Sequence, residues 1–409
     1  MKAVGIVVEY NPFHNGHLYH LQQSKETAGA DIAIAVMSGN FLQRGEPALV
    51  SKWSRTKMAL QGGVDIVVEL PYAFATQKAE TFANGAVSIL EALHCDSLCF
   101  GSESGSTESF HEVIDFLESN QEEYDRFVKE YLKKGYSYPK ATSLAFHQLS
   151  GSEQLVDLSK PNNILGVQYV KAIKDQKAAM VPKTIQRISA DYHDEEFSSQ
   201  SIASATSIRK SIFTNKETNE LKPFVPNTTW IHLNQYLYDY NQFHHWETYF
   251  PYLKYTILTM SKEELRGIYE MEEGLENRIF SNILHSPSFQ AFMTSIKTKR
   301  YTWTRLQRLA VHILTRTTKN QMNDVIQASY IRLLGLSKGG QKYLNQMKKT
   351  VPIPIVSKLS SFEDPLITLD IKAAYAYSMA YNEPVTSAEI KNEFSIPPIR
   401  FDESENIFL

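Results

Sequence analysis

The feature that most constrains this chain lies near its start. An unbroken apolar run, Ala3 to Val8, leads directly into Glu9-Tyr10-Asn11-Pro12-Phe13-His14-Asn15-Gly16-His17-Leu18-Tyr19-His20-Leu21, and the residues after the turn have helical spacing. The stretch reads as strand, tight turn and helix, with a His-x-Gly-His element at the bend. An α/β protein seats a nucleotide phosphate there, because the first N–H groups of a helix are unpaired and together carry roughly half a positive charge. Gly16 has no Cβ, so a triphosphate can approach its main chain closely. His14 and His17 offer imidazole donors toward a phosphorus whose oxygens gain charge as it is attacked. Nothing in the turn supplies a covalent nucleophile. The spacing of His14, His17 and His20, each three apart, also leaves a metal site open, with only Glu9 close in sequence as a further ligand.

At 409 residues the chain is long enough for two or three domains, and 43% apolar content supports real cores. The net charge of -3 says little about partners by itself, since a basic face can coexist with acidic surface elsewhere. Two cysteines, Cys95 and Cys99, give neither a disulfide framework nor a paired metal motif, so a reducing cytoplasm is expected. The sequence opens on a core strand without a signal-peptide pattern, and no run approaches 18 apolar residues. No membrane association is expected.

Four further strand candidates follow: Asp31 to Met37, Val64 to Leu70, Asp96 to Phe100 and Lys183 to Ile188. Between them lie helical patterns over His17 to Glu26, Ser51 to Gln61, Ala79 to Leu93 and Asn163 to Lys174. The alternation predicts an α/β fold, a doubly wound parallel sheet, with a helical insertion at about 107–160. The loops Ser38 to Pro47 and Gly101-Ser102-Glu103 fall at strand ends, where they should face the His14 turn. Asn162 or Asn163 could reach a base or ribose, with helix capping expected for at least one of them. Past an acidic loop, Ser201 to Lys210 places hydroxyls at a helix start with Arg209 one turn in, a pattern able to cap the helix and to bind phosphate oxygens.

Together, His14-Asn15-Gly16-His17 and Ala203-Ser204-Ala205-Thr206-Ser207-Ile208-Arg209 resemble the paired HxGH and ISxTxxR signatures of the HIGH nucleotidylyltransferase superfamily, a Rossmann-like fold. Ala203 departs from the signature's Ile, and Ala205 leaves fewer hydroxyls there. Val8 to His17, Met37 to Phe41 and Gln43 to Ala48 are similar to the bacterial tRNA(Met) cytidine acetate ligases. That resemblance implies ATP-dependent N4-acetylation of the wobble cytidine of elongator tRNA(Met), with free acetate activated as acetyl-adenylate and AMP and pyrophosphate released. It implies catalytic roles for His14, His17 and Arg209. It implies ATP contacts at Val7, Glu9, Tyr10, Asn11, Pro12, Phe13, His14, Gly16, His17, His20, Gly101, Asn162, Arg187, Ile188, Ser204, Thr206 and Arg209. Magnesium is expected with ATP, although no dedicated carboxylate pair is evident to hold it and no residue is assigned to a metal.

From about Thr206 strand candidates vanish and helical spacing takes over, which predicts a catalytic domain over 1–205 and a mainly helical, tRNA-binding domain over 206–409. Between Lys297 and Lys349 twelve Lys and Arg face one acidic residue, Asp324, a local charge of +11 that leaves -14 for the rest of the chain. Such segregation suggests a polyanion footprint. Its candidates are Lys297, Lys299, Arg300, Arg305, Arg308, Arg316, Arg332, Lys338 and Lys342, then Lys348 and Lys349, with Tyr301, Trp303 and Tyr343 available to stack on bases. A solvated basic face is the plain alternative. Two other functions share parts of this pattern: adenylation of a small cofactor precursor, and non-catalytic RNA binding on the same fold.

Overall fold

The computed structural model describes residues 1–187, 203–215, 218–323 and 325–409. β1 (Ala3–Val8), β2 (Ile32–Ser38), β3 (Ile66–Leu70) and β4 (Ser97–Ser102) form from short apolar runs that are buried almost throughout, as expected for strands covered on both faces. β5 (Val181–Gln186) is the more exposed edge. The five pair in parallel in the order β5-β4-β1-β2-β3. Crossovers are made by α1 (Asn15–Ala28), α2 (Lys52–Gln61), the short α3 (Tyr72–Ala75), α4 (Ala79–Ala92) and α8 (Pro161–Gln176). The expected insertion is α5 (Glu108–Ser119), α6 (Gln121–Lys133) and α7 (Tyr138–Gln148). Strand order reverses between β1 and β4, so the ligand crevice of such a sheet lies at their carboxyl ends.

The second half is mainly helical: α9 (Ala205–Asn215), α10 (Asn227–Tyr240), α11 (Trp246–Thr259), α12 (Lys262–Gly267), α13 (Leu275–Ile283), α14 (Phe289–Ile296), α15 (Trp303–Leu314), α16 (Lys319–Met322), α17 (Lys338–Met347), α18 (Ile367–Ser378) and α19 (Val385–Ser395). Strands do not vanish there, however. β6 (Ile331–Ser337) runs antiparallel beside β3, β7 (Ile355–Val356) and β8 (Ile399–Asp402) pair with β6, and β9 (Ile407–Phe408) closes the edge on β8. The sheet therefore continues through both halves, and residue 206 does not divide it. Among the described residues no helix is long and apolar enough to cross a membrane, and both cysteines are buried and unpaired.

The junction between β3 and β6 carries a buried group of four charges. Glu69 faces Arg332 across the strands. Lys52 of α2 binds Glu69 at 2.8 Å and Glu393 of α19 at 2.7 Å, and Arg332 binds Glu393 at 2.8 Å. All four side chains are about 95% or more buried. Two cations against two anions leave the group neutral, which is the condition for burying it. Arg332 is thus a core residue, and the expectation that it contacts RNA is corrected: what the linear sequence shows as a free cation is consumed by two carboxylates far away in the chain. Removing one member strands its partners. Lys52→Met is expected to lower unfolding stability by about 3–5 kcal/mol, read from the shift of the urea midpoint at pH 7.

Candidate active site

The turn after β1 is held by its own imidazoles. Tyr10 takes a left-handed backbone at φ 51°, and the Asn11–Pro12 peptide is cis. Phe13 is buried beneath them. His14 caps α1: its Nδ1 accepts the Gly16 N–H at 3.0 Å, and its own N–H donates to Nδ1 of His17 at 3.3 Å. This is a capping box with two imidazoles in place of the usual hydroxyl and carboxylate. The rings stack with centroids 3.7 Å apart. With both Nδ1 atoms accepting, the neutral rings carry their protons on Nε2, and the His17 ring also interacts with the Pro12 carbonyl. His20, one turn on, has a buried Nε2 without a partner among the described residues.

Burial, assisted by Arg187 and Arg209, pushes the His14 imidazole down to about 3. Burial and Arg187 push His20 to about 4, and burial with His14, His20 and Arg187 holds His17 well below its ordinary value. All three are neutral near pH 7. They therefore act as oriented N–H donors, and the fixed positive charge at the turn belongs to arginine.

Arg209 reaches the turn from α9. Its guanidinium donates to the Asn11 carbonyl at 3.0 Å and to Glu46 at 2.8 Å, so the two distant motifs meet on one side of the sheet. Ser204 Oγ accepts the Ser207 N–H at 3.0 Å and caps α9, while Thr206 is exposed in its first turn. The loop after β2 closes over the same place. Gln43 N donates to Glu9 Oε1 at 2.9 Å, and Leu49 N donates to Asn11 Oδ1 at 2.7 Å. Gly45, at φ +76°, lies so close to the α15 backbone that a Cβ would stand 2.3 Å from Arg308 N, so this position requires glycine.

One residue that the sequence does not single out organises these loops. Arg55 of α2 is fully buried and donates to the carbonyls of Glu9 and Ser38, both at 2.8 Å, of Val50 at 3.3 Å, and of Gly39. Burial lowers its pKa to about 10, which still leaves it charged at pH 7.

The other wall of the crevice comes from β4, β5 and α8. Gly101 lies beside Arg187 and His20, and half-buried Val7 precedes the turn in β1. Arg187 donates to Asn162 Oδ1 at 3.3 Å, and Asn162 Nδ2 donates to Glu103 Oε1 at 2.7 Å. The second Glu103 oxygen takes the Asn163 N–H at 2.9 Å, and Asn163 Oδ1 takes the Glu103 N–H at 3.1 Å. Neither asparagine caps α8, as was expected of at least one. Glu103 serves the helix start instead and orients Asn162. Ile188 lies outside the described residues.

The basic footprint changes more. Arg308 is buried and bound to Glu270 at 2.9 Å, and Arg305 is bound to Glu272 at 2.6 Å. Tyr343 is fully buried with its hydroxyl on the Leu93 and His94 carbonyls, and Tyr301 is buried against Glu272. Arg308 and the stacking role of Tyr301 and Tyr343 are therefore corrected: Glu270 and Glu272, more than twenty residues before the counted span, take Arg308 and Tyr301, and Tyr343 is buried on the Leu93 and His94 carbonyls. Lys297, Lys299, Arg300, Arg316, Lys338 and Lys342 remain exposed, with Lys338 paired to Asp402.

The depressed imidazoles set a pH dependence. Their folded values lie below the ordinary value of about 6.5, so from there down to about 3 to 4 the unfolded chain binds more protons. Stability falls as pH falls through that window. The urea midpoint of the ligand-free protein should be lower at pH 5 than at pH 7, and His14→Gln should reduce that difference.

Residues 1–393 match the family model of the HIGH nucleotidyl transferases. The chain is 52% identical over 403 residues to the tRNA(Met) cytidine acetate ligase of Geobacillus sp. (strain WCH70), covering 98% of this chain and 100% of that one. It is 52% identical over 414 residues to the enzyme of the same name from Bacillus subtilis (strain 168), covering both chains in full. Among solved structures, apo Thermotoga maritima TmcAL superposes with a TM-score of 0.91 at 35% identity, over 98% of this chain and 100% of that one. The same Thermotoga protein bound with alpha-thio ATP gives a TM-score of 0.89 at 35% identity and the same coverage. The chain belongs to the HIGH nucleotidyl transferases and, among them, to the family of the tRNA(Met) cytidine acetate ligases.

Proposed function

We propose that this protein is an ATP-dependent tRNA(Met) cytidine acetate ligase acting in the cytoplasm. The observation that carries the chemistry is the meeting of two stretches, one holding Nε2–H donors and the other a guanidinium, at the carboxyl ends of β1 and β4. Acetate is already an anionic nucleophile, so its attack on the α-phosphorus of ATP needs positioning and charge stabilisation more than a strong base. An acetate oxygen forms the new bond to phosphorus, the bridging bond to the β-phosphate breaks, and pyrophosphate leaves. The exocyclic amine of the wobble cytidine of elongator tRNA(Met) then attacks the acetyl carbon. The carbon–oxygen bond to phosphate breaks, AMP leaves, and the amine gives up a proton.

His14 and His17 direct neutral N–H groups at phosphate oxygens, and because they carry no charge before the substrate arrives, the cationic work falls to Arg209 and Arg187. The adenosine end is assigned to the Gly101, Asn162 and Arg187 wall, where Glu103 orients the amide. Magnesium enters on the triphosphate: among the described residues no cluster of three or more His, Cys, Asp or Glu side chains is placed to hold a metal ion, and phosphates normally supply much of its coordination.

His17→Ala removes one donor aimed at the developing charge. It should slow acetate-dependent ATP–pyrophosphate exchange by about 10²–10³-fold, while leaving the dissociation constant for tRNA within a factor of two or so. Labelled acetate recovered as N4-acetylcytidine by mass spectrometry of tRNA nucleosides is the positive test. Pyrophosphate release that requires a phosphorylated precursor in place of acetate would refute it.

A further inference from the structure

The crevice at β1 and β4 leaves unexplained a cavity of about 360 Å³ in the helical half, a size typical of sites for small organic ligands. Met260, which follows α11, and Ile268, which follows α12, are both buried and give the cavity an apolar floor. Arg316 and Lys319 line it as well and are exposed. The wall also carries one carboxylate, Glu264, which accepts the Ser261 N–H at 2.8 Å and keeps its negative charge beside Arg316, so the two cations outnumber it by one. An apolar floor under two cations suits a flat, uncharged ring that carries a phosphate.

A second observation points to the same kind of ligand. α11, which ends one residue before Met260, carries Tyr252 and Tyr255, 37% and 66% exposed and three residues apart on one helix face. Aromatic rings left open to solvent along one face are the platform on which proteins stack the bases of single strands. Tyr301, Tyr330 and Tyr343, within the basic span, are buried and cannot serve.

The cavity is also connected to the reacting end of the sheet. Ile268 bridges Thr318, and the Tyr269 hydroxyl reaches Gln77 at 3.4 Å. The Gln77 carbonyl takes Gln43 Nε2 at 2.8 Å, and Gln43 N binds Glu9 beside the imidazole turn. A chain of contacts thus links the Ile268–Thr318 side of the cavity to the loop that holds Glu9.

We propose that this cavity binds one unpaired nucleotide of the RNA substrate other than the one acetylated. Its base lies on Met260 and Ile268, its phosphate lies between Arg316 and Lys319, and neighbouring bases stack on Tyr252 and Tyr255. The proposal rests on the RNA-acetylating reading and narrows it: the element recognised here is single-stranded.

The test compares full-length wild type with R316E/K319E and with Y252A/Y255A, each checked for wild-type far-UV circular dichroism and thermal midpoint. Binding to tRNA is followed across salt concentrations, with a single-stranded oligoribonucleotide and a duplex of equal phosphate count as competitors. R316E/K319E should weaken tRNA binding at least tenfold and reduce the slope of log affinity against log salt by about one to two. Y252A/Y255A should weaken it with little change in slope, and the single strand should compete better than the duplex. Wild-type affinity and slope in R316E/K319E would overturn the site while leaving the function intact. Equal competition by the duplex would reduce it to a phosphate patch and overturn the nucleotide pocket. Failure of the wild-type protein to bind tRNA at all would instead bring down the functional reading.

Discussion

Parallel strands end, at their carboxyl edge, in carbonyl oxygens that no neighbouring strand can satisfy, and the loops leaving that edge must be held by something else. Arg55 is what holds them here. Its planar fork spreads several donors over the ends of β1 and β2 and over the far end of the loop after β2. An ammonium group, with its donors on a single atom, could not span those positions. Because the guanidinium rises from α2, the turn carrying His14 and the loop carrying Gln43 and Glu46 are referred to one rigid helix, and every contact made by Glu9, Asn11 and Arg209 inherits that reference. The helical half adds a second restraint on the loop, with Trp246 donating to the Gly45 carbonyl and Tyr377 to the Ala48 carbonyl, both at 2.8 Å.

Within this frame the site separates two electrical duties. Uncharged rings can be packed close together and partly buried at small cost, and they can point protons at phosphate oxygens without repelling one another. The arginines carry the permanent charge and are each given a polar tether on the protein, Arg209 at Asn11 and Glu46, and Arg187 at Asn162. A polyanion that displaces some of these tethers meets donors already arrayed for it, so little reorganisation is needed when charge builds up at phosphorus.

Much of the first half was legible in the sequence because its signals are local. β1 to β4 are apolar runs flanked by turn residues, and α1, α2, α4 and α8 show helical spacing, so their limits were found to within a few residues. β5 begins two residues before its sequence pattern does, since Val181 and Pro182 at an exposed edge do not look like a buried strand. β6 is hidden in the sequence for a related reason: Arg332 and Gly335 interrupt its apolar run, and Arg332 becomes tolerable in a core only once Glu69 and Glu393 are beside it. The pairing of the two motifs in space was readable through family likeness. That His14 and His17 cap their own helix, that Glu103 steers Asn162, and that Arg55 binds four carbonyls were not, because each depends on tertiary neighbours that the sequence does not announce. Charge along the chain misleads for the same reason, since the acids that take Arg305 and Arg308 come from Glu272 and Glu270, more than twenty residues before the basic span.

The antiparallel seam between β3 and β6 has a consequence for how such a chain is made. As it leaves the ribosome, the first four strands and their helices can collapse early, yet β3 exposes an open edge until the residues of β6 have been synthesised, and Lys52 and Glu69 wait longer still for Glu393 near the end. The nucleotide-binding half is therefore born incomplete, with a sticky margin that invites pairing with other nascent chains. The two halves are not modules that could be cut apart or exchanged: residues of the second half seal the edge and the buried charges of the first.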